Sequence, residues 1–198
     1  MRRWAMNIDF ANMDIQTYRT FEYSRLREMG VTHGPEVLFE ERVIKNPICE
    51  TRLLLYRPLH SEDMILPVFV NLHGGGFVLG YPEVDDPYCR LIANKVHCLV
   101  VNVDYALTPE YQFPKGIENV YGIVKWLHTH ADELQIDPKR IAIGGHSAGG
   151  TIAAAISLLA HEESAFVSFP NGSLVEAFPI PAPRSHLHSC PVAKTKGR

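Results

Sequence analysis

Residues 140–161 read RIAIGGHSAGGTIAAAISLLAH. The first five, Arg140–Gly144, form a short apolar run suited to a strand buried on both faces. The last eleven, Thr151–His161, are rich in Ala, Ile and Leu and read as a helix. Between them lies Gly145-His146-Ser147-Ala148-Gly149, a G-x-S-x-G sequence at a strand-to-helix turn. A turn this sharp forces the serine into a strained backbone conformation, and side chains two residues to either side would collide. Glycine at both flanks removes the collision. The Ser147 hydroxyl is then pushed out at the carboxyl edge of a sheet, where open α/β sheets bind ligands. Amide dipoles of the following helix face the same place. Read alone, G-x-S-x-G is a weak signal, and a glycine-rich turn without chemistry is the competing reading.

Moving outward, the chain repeats this alternation. Pro67–Leu72 (PVFVNL) and Cys98–Val103 (CLVVNV) are two more buried strands, and residues 86–96 are helical between them. Lys115 to about Leu134 is helical, with Ile117, Val120, Tyr121, Val124 and Leu127 on one face. Asp137-Pro138 makes a turn before the strand at 140. Further back, Val37–Lys45 and Glu50–Arg57 flank the turn signal Asn46-Pro47 and predict a hairpin. Residues 12–29 predict an amphipathic helix stopping at Gly30. The order β, α, β, α, β, α implies a mostly parallel sheet, entered by an antiparallel hairpin, with helices on both faces. From Phe166 to Arg198 periodicity is lost among Pro170, Pro179, Pro181, Pro183 and Pro191, so no further strand is expected and the tail reads as irregular or disordered.

A second glycine cluster decides what the serine is for. His73-Gly74-Gly75-Gly76-Phe77 directly follows the strand PVFVNL. Three glycines in a row let a backbone approach a substrate closely and aim its amides at one spot, as acyl transfer requires for the negative charge that grows on the carbonyl oxygen. A phosphate cradle is the competing reading, but neither G-x-G-x-x-G nor G-x-x-x-x-G-K-[ST] occurs near it.

HGGGF, Asp104–Glu110 (DYALTPE) and Gly145–Gly150 (GHSAGG) together resemble the hormone-sensitive-lipase-like carboxylesterases of the α/β-hydrolase superfamily, over roughly residues 12–162. The resemblance implies a partial α/β-hydrolase fold and a serine esterase acting on small-molecule esters, with no metal and no organic cofactor. It assigns Ser147 as nucleophile, the Gly75, Gly76 and Ala148 amides as oxyanion hole, and His73, Gly74, Gly145 and Gly149 as their support. Residues 1–35 resemble part of a lid. Two blocks depart from the family pattern: Ala106 and Thr108 stand where arginine and alanine are usual, and His146 where aspartate is frequent. His146 is read as structural, because neighbours on so tight a turn point away from one another.

In this fold the acid and histidine follow the nucleophile. Beyond Ser147 the sequence holds no aspartate, only Glu162, Glu163 and Glu176 with His161, His186 and His188. The triad acid and histidine are therefore expected to be missing, and hydrolase sequence is expected to end near Ala165 as in a truncated product, leaving 166–198 as the tail. A serine esterase by ancestry, weakly active or inactive, is the leading expectation; a non-catalytic small-molecule binding module on the same fold is the alternative. His186, His188 and Cys190 are read as incidental rather than as a metal site.

Composition bounds the remaining classes. With 198 residues there is room for one substantial core. A net charge of −3 gives no reason to expect nucleic acid or an anionic membrane as partner. No apolar run reaches the roughly 18 residues of a membrane span, and the N-terminus lacks a leader's apolar segment. Cys49, Cys89, Cys98 and Cys190 are scattered and read as reduced thiols, so a cytoplasmic location is expected.

Overall fold

The computed structural model describes residues 13–28, 34–164 and 174–179; for 26–28, 162–164 and 174–179 only the backbone is described. Helix α1 (Ile15–Glu28) precedes a hairpin of β1 (Leu38–Lys45) and β2 (Glu50–Arg57), and then β3 (Leu66–Leu72). A 3-10 turn, Pro82–Asp85, leads into α2 (Asp86–Ile92), which widens into a π turn at Ala93–His97 before β4 (Leu99–Asp104). Next come α3 (Lys115–Thr129), the single turn α4 (Ala131–Leu134), β5 (Ile136–Gly145), α5 (Ala148–Ser164) and β6 (Leu174–Pro179).

The sheet order is β1-β2-β4-β3-β5-β6. β1, β2 and β4 pair antiparallel, whereas β4, β3, β5 and β6 run parallel. This is the mixed sheet expected from a hairpin feeding β-α-β units. Both faces are covered. Leu53, Leu55, Val70, Val101 and Val103 join Val120, Val124 and Leu127 of α3 and Ile152 and Ile156 of α5 in one core. Leu54, Tyr56 and Val100 face the other way, onto Cys89 and Ala93 around α2. The period-two alternation of β2 thus serves two separate cores.

Three boundaries differ from the sequence reading. The long helix at 115–134 splits at His130: Thr129 Oγ1 bonds the Lys125 and Trp126 carbonyls, and the His130 ring stacks on Trp126 at 4.6 Å. β5 begins at Ile136, and Asp137-Pro138 lies inside it at an irregularity where the register jumps from Leu66↔Ile136 to Val68↔Ile141. A proline without an amide proton is tolerated at such an irregularity. Finally, a strand does follow the last helix. Leu174–Pro179 pairs parallel with Arg140–Gly145, so the tail is not wholly irregular. Its short apolar run was obscured by the density of prolines on both sides. The remaining tail positions, including His186, His188 and Cys190, lie outside the described residues, as do residues 1–12.

Candidate active site

The parallel strands β3 and β5 end level with each other, Leu72 opposite Gly145. Whatever follows each strand therefore emerges side by side at one edge of the sheet. After β5 the chain turns within two residues into α5, and Ser147 sits on the turn with φ 52°. That is left-handed backbone carried by a non-glycine residue, the strain expected from the sequence. Ser147 is exposed.

The flanking glycines are required chiefly by β3. A Cβ on Gly149 would lie 2.1 Å from the Leu72 carbonyl oxygen, and one on Gly145 would lie 2.3 Å from the same atom. Gly145 would also come within 2.9 Å of the Gly149 carbonyl carbon. Contact across the turn contributes, but the nearer obstacle is the backbone of the neighbouring strand. The two glycines thus press the serine turn against the start of the loop His73–Phe77.

That loop is shaped by its own sterics. Gly75 adopts φ 129°, and a Cβ there would meet the Leu79 carbonyl at 1.9 Å. The Gly75 carbonyl accepts from the Val78 and Leu79 amides at 3.1 and 2.8 Å. Beneath the loop, His73 is 1% exposed, stacks on Tyr105 at 4.3 Å, and bonds the Gly74 carbonyl through Nδ1 at 2.7 Å. The Tyr105 hydroxyl donates to the His73 carbonyl at 2.8 Å. Burial holds the His73 imidazole below its ordinary pKa and pushes the Tyr105 phenol up. His73 is therefore a neutral prop with its Nδ1 proton on the loop, and is turned away from proton transfer.

Among the described residues, the amides of Gly75, Gly76 and Ala148 donate to no acceptor within the chain. The Gly74 amide is different: it donates to His146 Nε2 at 3.1 Å. No base is hydrogen-bonded to the Ser147 hydroxyl among the described residues, and His161 lies nearly four turns along α5, about 20 Å away by helix rise. The side chains of Glu162, Glu163 and Glu176 and all of His186 and His188 lie outside the described residues.

Two cavities open against the glycine loop, through Phe77 in one and Gly74 and Gly75 in the other. One, of about 310 Å³, is walled by Phe77, Tyr105, Ala106, Thr108, Phe113 and Ile152 and is mostly apolar. The other, about 170 Å³, lies between the glycine loop, His146, Tyr81 and Glu22 of α1. Both family departures in the middle block, Ala106 and Thr108, fall on the first wall.

The sequence reading missed the residue that ties these parts together. Arg19 donates to the Val78 carbonyl at 2.8 Å and the Thr108 carbonyl at 2.7 Å, and pairs with Glu110 at 2.9 Å. Its own carbonyl accepts from the Tyr81 hydroxyl. α1 is thereby fastened across the loop after β3 and the loop after β4. Nothing in the local sequence distinguishes Arg19 from other surface arginines.

Residues 69–194 match the family model described as alpha/beta hydrolase fold. The chain belongs to this family. Carboxylesterase NlhH of Mycobacterium tuberculosis is 40% identical over 142 residues, covering 70% of this chain and 44% of that protein. An arylesterase of Saccharolobus solfataricus is 36% identical over 154 residues, covering 71% and 49%. Among solved structures, the hyperthermophilic esterase from Pyrobaculum calidifontis superposes with a TM-score of 0.71 at 38% identity, covering 83% of this chain and 50% of that one. The chain spans about half the length of the curated relatives it matches. Among the described residues, no helix is long and apolar enough to cross a membrane.

Proposed function

We propose that this site is the nucleophile and oxyanion half of a serine carboxylester hydrolase. Ser147 Oγ attacks the ester carbonyl carbon, and its proton passes to a base. The oxyanion that forms accepts hydrogen bonds from the Gly75, Gly76 and Ala148 amides. Collapse of the tetrahedral intermediate expels the alcohol, which takes up the proton, and water then releases the acid from the acyl-serine. His73, Gly74, Gly145 and Gly149 keep the two loops in contact. The observation that carries this reading is the junction itself: a serine at φ 52° on a strand-to-helix turn, pressed by its two glycines against the loop that holds unbonded amides. Esterases among the relatives support it.

The chemistry needs no cofactor, and the larger cavity suits the apolar part of a small ester. α1, within residues 1–35, covers one side as a lid, and residues 1–165 carry the N-terminal part of the hydrolase architecture in this reading; the family match running to residue 194 and the pairing of β6 count against hydrolase sequence ending near Ala165. Free thiols at Cys49, Cys89 and Cys98 are consistent with a reducing, cytoplasmic setting. A serine without a base attacks poorly. Since none is bonded to Ser147 among the described residues, turnover by this chain alone is expected to be slow, of the order of 10³–10⁴ over water from the oxyanion hole and binding.

The same missing bond, together with the apolar cavity, favours a second reading, a binding module without turnover. Hydrolysis of p-nitrophenyl butyrate separates the two. Slow turnover that disappears in Ser147→Ala supports the hydrolase; butyrate or phenol binding with no turnover and no Ser147 dependence supports the module.

A further inference from the structure

We propose that His146, the residue before the serine, is a positioning residue for the glycine loop and works only while its Nε2 is unprotonated. This rests on the hydrolase reading of the site. Three observations converge on it. The Gly74 amide donates to Nε2 at 3.1 Å. The ring lies so close over Gly74 that a Cβ there would sit 2.7 Å from both Cδ2 and Nε2. On its other side Nδ1 is 3.8 Å from Asp85 Oδ2.

The hydrogen-bond roles follow from this geometry. An N–H donor facing Nε2 requires a lone pair there, so the ring proton of the neutral imidazole is on Nδ1, toward Asp85. The Gly74 peptide is thus held from the elbow side, while its carbonyl is held from beneath by His73 Nδ1 at 2.7 Å. With both polar groups of Gly74 engaged, the direction of the next amide, that of Gly75, is set. His146 therefore links the serine turn to the oxyanion loop through one hydrogen bond, and keeps Gly74 from competing as a donor toward substrate.

Asp85 is itself fixed. Its Oδ2 accepts from Asn71 Nδ2 at 2.9 Å, and Asn71 Nδ2 also reaches Asn102 Oδ1 at 3.0 Å, all buried. The charged and titratable groups around the ring are Asp85 from the 3-10 turn, His73 from the end of β3, and Glu22 of α1 and Tyr81 in the shared cavity. When Nε2 takes a proton it becomes a donor facing another donor, and the Gly74 bond is lost. The carboxylate of Asp85 holds the resulting imidazolium in place instead of expelling it. Loop order is therefore expected to fall once Nε2 carries a proton.

The test needs no turnover. In the wild-type chain, the protection of the Gly74 amide against hydrogen exchange and the His146 ring nitrogen shifts are followed by NMR from pH 8 to 5. The expected result is that Gly74 protection falls about 5- to 10-fold, the worth of one hydrogen bond, with the same midpoint as His146. In His146→Gln, whose amide oxygen accepts without titrating in this range, Gly74 protection is expected to stay flat. A Gly74 amide that ignores the His146 titration overturns the proposal whether or not Ser147 reacts. Fluorophosphonate labelling of Ser147, run in parallel, reads the hydrolase assignment separately. Absence of labelling at every pH while Gly74 and His146 co-titrate contradicts that assignment and supports the coupling of His146 to Gly74.

Discussion

Two junctions build the site, and they are made in opposite ways. Where the serine turn meets the end of β3, contact is enforced by missing side chains: Gly145 and Gly149 lie against the Leu72 carbonyl with no room for a methyl group. Where α1 meets the same loops, contact is made by one long side chain, as Arg19 reaches the Val78 and Thr108 carbonyls and Glu110. The first junction cannot be altered without moving backbone. The second can be undone with the sheet intact. Close packing fixes Ser147 against the glycine loop, and polar reach fixes α1 beside them.

Breaking the first junction is expected to have the largest effect. Gly149→Ala places a methyl group 2.1 Å from a strand carbonyl, and the loss should be about 3 kcal/mol or more, at or beyond the upper end of ordinary overpacking. A urea titration followed by tryptophan fluorescence reads it. Within the same turn, Ser147→Gly should act oppositely: removing a non-glycine residue from φ 52° is expected to stabilise by about 1 kcal/mol while abolishing labelling of the turn.

A pH scan sharpens the contrast. Burial holds His73 below the ordinary histidine pKa of about 6.5, so the unfolded chain takes up a proton that the folded chain refuses. Stability is therefore full above that value and falls as pH drops below it, by at most about 1.4 kcal/mol per pH unit for one histidine. The urea midpoint should drop between pH 7.5 and 5.5, and less steeply in His73→Gln. The smallest change belongs to the second junction. Arg19→Ala removes the part-buried bonds to the Val78 and Thr108 carbonyls and the pair with Glu110, together worth about 1 kcal/mol in global stability, yet limited proteolysis within 15–28 should become faster because α1 loses its fastening.

What could be seen in the sequence follows the same division. Short apolar runs of period two and the glycine positions around Ser147 and His73 report close packing, and close packing leaves a local mark. The hairpin, the central strands and the serine turn were legible for that reason. Arg19, Asp85 and Tyr105 act across tens of residues through hydrogen bonds or ring stacking, and no neighbouring residue signals them. β6 was hidden for a different reason, since its six residues sit among prolines that normally mark the absence of a strand. The role of His146 was half visible: its place beside Ser147 suggested support rather than catalysis, but only coordinates give it the Gly74 amide as partner.

The most direct test of the account is a crystal structure of the chain after reaction with an alkyl fluorophosphonate. The phosphorus is expected on Ser147 Oγ, with its phosphoryl oxygen about 2.7–3.1 Å from the Gly75, Gly76 and Ala148 nitrogens. An adduct on another residue, or one on Ser147 whose phosphoryl oxygen faces solvent away from those three amides, would contradict it.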